Sequence, residues 1–124
     1  MIDHLSYGVS NLVRARRFYD AFFGPLGHAV ASVTADEISY GPGGMSGAFF
    51  LYQAPEGVQI AGARTHVAFS AATRVAVDQA YAAAMASGAQ SVRKAGAHPD
   101  ISPNYYGAVV LDPDGNKLEI VVPG

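Results

Sequence analysis

The sequence predicts an α+β fold made of two consecutive βαβββ modules. The first observation is that each half of the chain shows one strand, one helix and three further strands in the same order. The second is that the halves align at an offset of 62 residues, half of the 124-residue length, which pairs His4 with His66, Tyr7 with Phe69 and Tyr19 with Tyr81. Residues 54–63 are then the linker between the two modules.

In the first half, residues 2–9 alternate bulky side chains with small or polar ones, as a strand does. Ser10 and Asn11 are residue types that cap helix N-termini, and apolar residues at helical spacing follow until Gly24 and Pro25 end the helix. Three short strands are predicted at residues 28–34, 37–41 and 47–54, and the Gly-Pro-Gly-Gly run at 41–44 separates the last two.

The second half repeats this order. Residues 64–70 predict a strand, and Thr73 is the expected cap of a helix that ends at Gly88. The remaining strands are predicted at 91–95, 105–111 and 117–122, and the Asp-Pro-Asp-Gly-Asn turn of residues 112–116 joins the last two as a hairpin. We interpret residues 1–124 as one domain, with module 1 at about 1–55 and module 2 at about 63–124.

Composition excludes several classes of function. A 50% hydrophobic chain with 15% charged residues is not disordered, and its length is enough to bury about two-thirds of the unfolded surface. The net charge of −2 disfavours nucleic acid, and no apolar run approaches the roughly 20 residues of a membrane span. Met1 leads straight into a strand pattern rather than a signal sequence, so we expect a cytoplasmic protein. With no cysteine, any metal must be held by nitrogen and oxygen.

Residues with metal-ligating chemistry stand on one face of three predicted strands. His4 shares its strand face with Ser6, and His66 shares its face with Ala68, whereas the bulky residues point the other way. Glu119 interrupts the apolar run of the last strand. Two imidazoles and one carboxylate around a hollow suit Fe(II), Mn(II) or a similar divalent ion. The alternative, that each histidine is an ordinary core or surface residue, stays open at this point.

Three stretches resemble the glyoxalase/bleomycin-resistance/extradiol-dioxygenase superfamily, the vicinal oxygen chelate proteins. Residues 2–12, with Arg17-Phe18-Tyr19 on the helix, are similar to its opening, and residues 65–69 (Thr-His-Val-Ala-Phe) are similar to the start of its second module. Residues 111–119 (Leu-Asp-Pro-Asp-Gly-Asn-Lys-Leu-Glu) resemble its closing hairpin, which is the most specific of the three. The stretches occur in the order and spacing of the family.

The resemblance implies a curved eight-stranded cup with helices outside and a homodimer with shared active sites. It assigns the metal ligands to His4, His66 and Glu119, with His4 coming from one subunit and the other two from its partner. The implied cofactor is a divalent ion, one of Fe, Mn, Zn, Ni or Co. Exposed edge strands would also favour dimerisation.

Departures from the family pattern bear on which enzyme class within the family this chain resembles. Glyoxalase I adds a fourth ligand, a glutamate of the fourth strand, and we place Leu51 at that position, with Gln53 and Glu56 as the nearest replacements. Fosfomycin transferases carry a tyrosine where this chain has Val109. Extradiol dioxygenases use a His-His-Glu set on iron, but most are two to three times longer.

Residues 98–107 are polar and aromatic and should lie at the mouth of the cup. Here His98 or Asp100 could act as a general acid or base, and Tyr105 or Tyr106 could bond a substrate oxygen as a candidate catalytic residue. The structural alternative is that the prolines shape the loop and the tyrosines cap the core. His28 is expected at the surface.

Two functions therefore compete. The first is a metal-dependent lyase, isomerase or dioxygenase whose small substrate is chelated through vicinal oxygens. The second is a metal-free protein of the bleomycin-resistance type, which sequesters a small molecule without turnover. Neither takes nucleic acid or a membrane as its partner.

Overall fold

The computed structural model describes residues 1–123 and shows the βαβββ order twice. The elements of the first module are β1 (Leu5–Val9), α1 (Leu12–Phe23), a short 3₁₀ turn (Gly24–Leu26), β2 (His28–Val33), β3 (Glu37–Pro42) and β4 (Phe49–Gln53). Those of the second are β5 (His66–Ser70), α2 (Arg74–Ala86), β6 (Gln90–Ala97), β7 (Tyr106–Leu111) and β8 (Lys117–Val122). The predicted fold class is confirmed. In the described residues neither helix is long and apolar enough to cross a membrane.

Each module forms its own four-stranded mixed sheet. The strand orders are β1-β4-β3-β2 and β5-β8-β7-β6, so within one chain the eight strands form two separate sheets rather than one. The first strand of each module pairs in parallel with the last, and the other pairs are antiparallel. Consequently β1 and β5 both lie at a sheet edge.

Both helices start where the sequence predicts a cap. The side chain of Asn11 accepts a hydrogen bond from the backbone N–H of Arg14, and Thr73 does the same for Ala76. Gln53, at the end of β4, adds a further partner, because its Oε1 accepts the backbone N–H of Leu12 at 3.2 Å. These contacts satisfy amide groups that the first turn of a helix leaves unpaired.

Four strands, β1, β4, β5 and β7, begin one to three residues later than predicted. β1 begins at Leu5 rather than at residue 2, because Leu5 lies opposite Phe49, the first residue of its partner β4. β7 begins at Tyr106 rather than at Tyr105, because the N–H of Tyr105 closes a turn onto the carbonyl of Ser102 at 3.1 Å. The residues just before these strands are therefore loop residues at the end of a sheet.

One face of each sheet packs on the helices and the other face is left free. The alternation is clearest in β8, where Leu118 and Ile120 are fully buried and Glu119 between them is not. The buried side chains form one core shared by both modules, and its largest fully buried members are Val9, Phe18, Tyr19, Phe22, Phe23, Tyr40, Leu51, Val77, Val110, Leu118 and Ile120. Burial of this apolar surface is the main force that holds the modules together.

The closing hairpin (residues 112–116) links the second module to the first through a buried carboxylate. Asp112, 4% exposed, accepts hydrogen bonds from the hydroxyl of Tyr19 at 2.7 Å and from Asn116 Nδ2 at 3.0 Å. Its other oxygen accepts the backbone N–H groups of Asp114 and Asn116, both at 2.9 Å. Burial raises the pKa of Asp112, while these hydrogen bonds act in the opposite direction.

The same hairpin reaches the first strand and the first helix. Asn116 Nδ2 donates to the carbonyl of Gly8 at 2.9 Å, and Asp114 accepts the backbone N–H of Ser10 at 3.0 Å. Arg14 also donates to Asp114, at 3.2 Å. The most specific motif of the sequence is therefore a structural connection between the two modules.

We predict that Tyr19→Phe lowers the free energy of unfolding by about 1–3 kcal/mol, because it removes a hydrogen-bond donor from the buried carboxyl group of Asp112. Urea unfolding followed by circular dichroism measures the change. The matched control is Tyr81→Phe, since the Tyr81 hydroxyl donates to Ser91 Oγ, also at 2.7 Å, but within one module and to a neutral partner. A cost for Tyr19→Phe no larger than that for Tyr81→Phe would contradict the special role of Asp112.

Candidate metal centre

Two of the three predicted ligands meet on the free face of the second sheet. β5 and β8 are parallel neighbours with Ala68 opposite Glu119, so His66, two residues before Ala68, points to the same side as Glu119. His66 Nε2 lies 3.3 Å from Glu119 Oε1, and the side chains are 44% and 18% exposed respectively. One imidazole nitrogen and one carboxylate oxygen are thus adjacent and open to a ligand.

Tyr105 completes this cluster. Its hydroxyl donates to Glu119 Oε2 at 2.7 Å, and the residue is 8% exposed. Burial, followed by the hydrogen bond to Glu119, raises the pKa of Tyr105 well above the usual range of a phenol. The hydroxyl is therefore protonated at neutral pH and serves as a donor.

His4, the third predicted ligand, lies with the first sheet. It immediately precedes β1, is exposed, and pairs through Nδ1 with Asp3 at 2.7 Å. Its ring stands edge-on to Phe50 with centroids 5.5 Å apart. Within residues 1–123 of a single chain, no three His, Asp or Glu side chains come close enough to hold one ion. One chain therefore brings together His66 and Glu119 without His4.

The placement of Leu51 at the position of a fourth ligand is wrong. Ser6 lies opposite Phe50 in the first sheet, and Ala68, its counterpart at the offset of 62 residues, lies opposite Glu119 in the second. Phe50 is thus the structural counterpart of Glu119, whereas Leu51 is fully buried in the core. A one-residue difference in register exchanges the two faces of a strand, and sequence spacing alone did not determine that register.

Neither alternative fourth ligand lies in this cluster. Gln53 is engaged at the start of α1, because its Nε2 donates to the carbonyl of Ser10 at 2.8 Å and its Oε1 accepts from Leu12. Glu56 lies beyond the end of β4, beside Gln53 and Ser10 at a separate surface pocket.

The two candidate catalytic tyrosines point in different directions. Tyr106 faces α2, where its hydroxyl donates to Asp78 at 2.7 Å and the guanidinium carbon of Arg74 lies 4.8 Å from the ring centroid. Of the pair, only Tyr105 contacts Glu119. His98 follows β6 and is held to that strand, because its Nε2 hydrogen-bonds to the carbonyl of Lys94 at 2.8 Å.

A cavity of about 270 Å³ lies beside His4, between the first strands of the two modules. Its wall includes the aromatic residues Phe23, Tyr40, Phe49 and Phe69. His28, expected at the surface, lines this cavity instead, and its ring packs edge-on to Phe23 at 5.6 Å. Burial lowers the pKa of His28, and its buried Nδ1 has no hydrogen-bond partner among residues 1–123. The sequence contained no signal for this burial.

Sequence and structure comparisons place the chain among known proteins. A sequence profile of the Glyoxalase/Bleomycin resistance protein/Dioxygenase superfamily matches residues 1–120. No curated protein matches the chain.

Among solved structures, a glyoxalase/bleomycin resistance protein from Albidiferax ferrireducens T118 is similar at 26% identity and a TM-score of 0.83, covering 98% of this chain and 97% of that one. A glyoxalase-related enzyme from Fulvimarina pelagi has 22% identity and a TM-score of 0.74, covering 97% of this chain and 86% of that one. A fosfomycin resistance protein from Mesorhizobium loti has 14% identity and a TM-score of 0.70, covering 98% and 90%. At those identities the last two show a shared fold.

The repeated modules, the hairpin that joins them and the profile match over nearly the whole length lead to one conclusion. This chain belongs to the Glyoxalase/Bleomycin resistance protein/Dioxygenase superfamily.

Proposed function

We propose that this protein is a divalent-metal-dependent enzyme that acts on a small molecule bound through two adjacent oxygen atoms. The observation that carries the proposal is the pair formed by His66 Nε2 and Glu119 Oε1, 3.3 Å apart on the free face of the second sheet. A charged residue in the middle of an otherwise apolar strand is costly unless it has a partner or a function. The reaction is of the lyase, isomerase or dioxygenase type.

His4, His66 and Glu119 are the proposed ligands, and His4 comes from the other subunit of a homodimer. Two features support this division. His4 does not join His66 and Glu119 within one chain, and β1 and β5 each leave one edge unpaired. A two-fold dimer can place the free face of the first sheet of one protomer opposite that of the second sheet of its partner. Fe, Mn, Zn, Ni and Co all accept such a nitrogen and oxygen donor set.

The bound ion would polarise the substrate oxygens and stabilise negative charge that develops on them. The chain's own residues balance the charge of the ion and limit the number of its ligands. Glu119 offsets part of the charge of the ion, and Phe50 occupies the position at which a fourth carboxylate would stand. An aromatic ring there does not ligate, so a three-residue ligand set is favoured over the four-residue set of glyoxalase I.

A second candidate is a protein that sequesters an apolar small molecule without turnover. The rings of Phe50 and Tyr52 stack at 6.3 Å on the free face of the first sheet, and Tyr52 is 42% exposed. Exposed aromatic rings beside His4 would bind a planar ligand whether or not a metal is present.

The enzyme proposal predicts stoichiometric binding of a divalent ion to the metal-stripped protein, measured by isothermal titration calorimetry with Co(II) and Mn(II). His66→Ala and Glu119→Ala should each weaken metal binding by more than about 100-fold. Removing a residue that only hydrogen-bonds to a ligand costs about 10–100-fold in affinity, and removing the ligand itself should cost more. Asp78→Ala is the matched control, since Asp78 is a carboxylate that accepts a tyrosine hydroxyl on the opposite face of the second sheet, and it should bind like the wild type. A wild-type protein that binds no divalent ion but retains an aromatic ligand would favour sequestration.

The shared-site arrangement predicts complementation between two inactive variants. His4→Ala and Glu119→Ala chains, unfolded together in equal amounts and refolded, should recover about a quarter of the wild-type metal capacity, because half of the dimers are mixed and each regains one of two sites. Each variant refolded alone is the control. No recovery in demonstrably mixed dimers would show that the three ligands do not come from two subunits.

A further inference from the structure

The hydrogen bond between Tyr105 and Glu119 points to a role that the proposed ligand set does not include. We infer that Tyr105 is a positioning residue that holds Oε2 of Glu119, so that the carboxylate offers only Oε1, the oxygen beside His66, to a cation. The inference rests on the proposed function, because it concerns how one of the proposed ligands is presented.

The two oxygens of Glu119 have different surroundings. Oε2 accepts the Tyr105 hydroxyl at 2.7 Å, whereas Oε1 faces His66 Nε2 at 3.3 Å. A carboxylate with one oxygen occupied by a buried donor is oriented about its last torsion angle, which is otherwise soft. The hydrogen bond therefore selects which oxygen is free.

The position of the Tyr105 hydroxyl is itself determined by close packing over Gly107. A Cβ atom at Gly107 would lie 2.7 Å from the Tyr105 hydroxyl oxygen and 2.5 Å from the carbonyl oxygen of Ile120. The phenol thus occupies space that any side chain at residue 107 would fill. On another side, the His98 ring lies 5.9 Å from the Tyr105 ring, centroid to centroid.

The geometry makes Tyr105 a hydrogen-bond donor to the carboxylate rather than a ligand, because its hydroxyl points at Oε2 of Glu119. Partners of this kind, which hydrogen-bond to a ligating carboxylate, set its orientation and affect metal affinity. A carboxylate that uses one oxygen leaves a coordination position free for a substrate oxygen.

The chain offers a matched control at the next residue. Tyr106 also donates its hydroxyl to a carboxylate at 2.7 Å, but that carboxylate is Asp78 on α2, on the opposite face of the second sheet. Tyr105→Phe and Tyr106→Phe therefore remove the same chemical group and the same kind of hydrogen bond. Only Tyr105→Phe removes the hydrogen bond to Glu119.

The test is Co(II) binding to the metal-stripped, full-length protein and its two variants, measured by calorimetry and by the visible absorption of the bound ion. Tyr105→Phe should weaken Co(II) binding about 10–100-fold and change the shape of the Co(II) spectrum. Tyr106→Phe should leave both unchanged. Wild-type affinity and spectrum in a folded Tyr105→Phe variant would overturn the inference and leave the proposed function intact, whereas a wild-type protein that binds no Co(II) would overturn both.

A measurement on the unmodified protein keeps the inference falsifiable if Tyr105→Phe does not fold. Infrared difference spectra between Co(II)-loaded and metal-free protein report the splitting between the two carboxylate stretching bands, which is wide when one oxygen ligates and narrow when both do. We expect the wide splitting, and its loss in Glu119→Gln assigns the bands to this residue. A narrow splitting assigned to Glu119 would overturn the inference.

Discussion

Apolar burial holds the two modules together, and the buried carboxylate of Asp112 is the polar contact that sets their relative arrangement. A charge removed from water is stable only when its hydrogen-bonding capacity is satisfied. Asp112 receives two backbone N–H groups and an amide from its own hairpin, and the Tyr19 hydroxyl from the helix of the other module. Because one of these donors lies across the interface, separating the modules would leave Asp112 and Tyr19 without each other. The closing hairpin is thus a polar contact inside an otherwise apolar interface.

The same hairpin determines the face on which Glu119 lies. The turn brings Leu111 opposite Lys117, and from that register Leu118 points into the core and Glu119 away from it. A slip of one residue would bury Glu119 and expose Leu118, at the combined cost of a buried charge and lost apolar burial. The register is therefore strongly determined. Since β5 pairs in parallel with β8, it also brings His66 to Glu119.

Duplication left two equivalent positions with opposite chemistry. Phe50 and Glu119 occupy matching registers in the two sheets, but one carries an aromatic ring and the other a carboxylate. Tyr52 extends the aromatic surface on the first sheet, and Tyr105 supports the carboxylate on the second. In the proposed dimer, a hollow between these faces would have one aromatic wall and one ligating wall, which suits a ligand with an apolar part and adjacent oxygens.

The order of elements followed from the sequence by itself, because strand alternation, helix caps and turn residues are local signals. Local periodicity also placed Glu119 on the opposite strand face from its apolar neighbours, and the 62-residue repeat aligned His4 with His66. Tertiary structure decided two features that the sequence did not. One is the strand register that puts Phe50, rather than Leu51, at the position equivalent to Glu119, and the other is the hydrogen bond from Tyr105 to Glu119. Strand pairing and loop packing depend on residues distant in the chain, and no local pattern encodes them. The partial burial of His28 has the same origin, since the residues that cover it come from elements far apart in sequence.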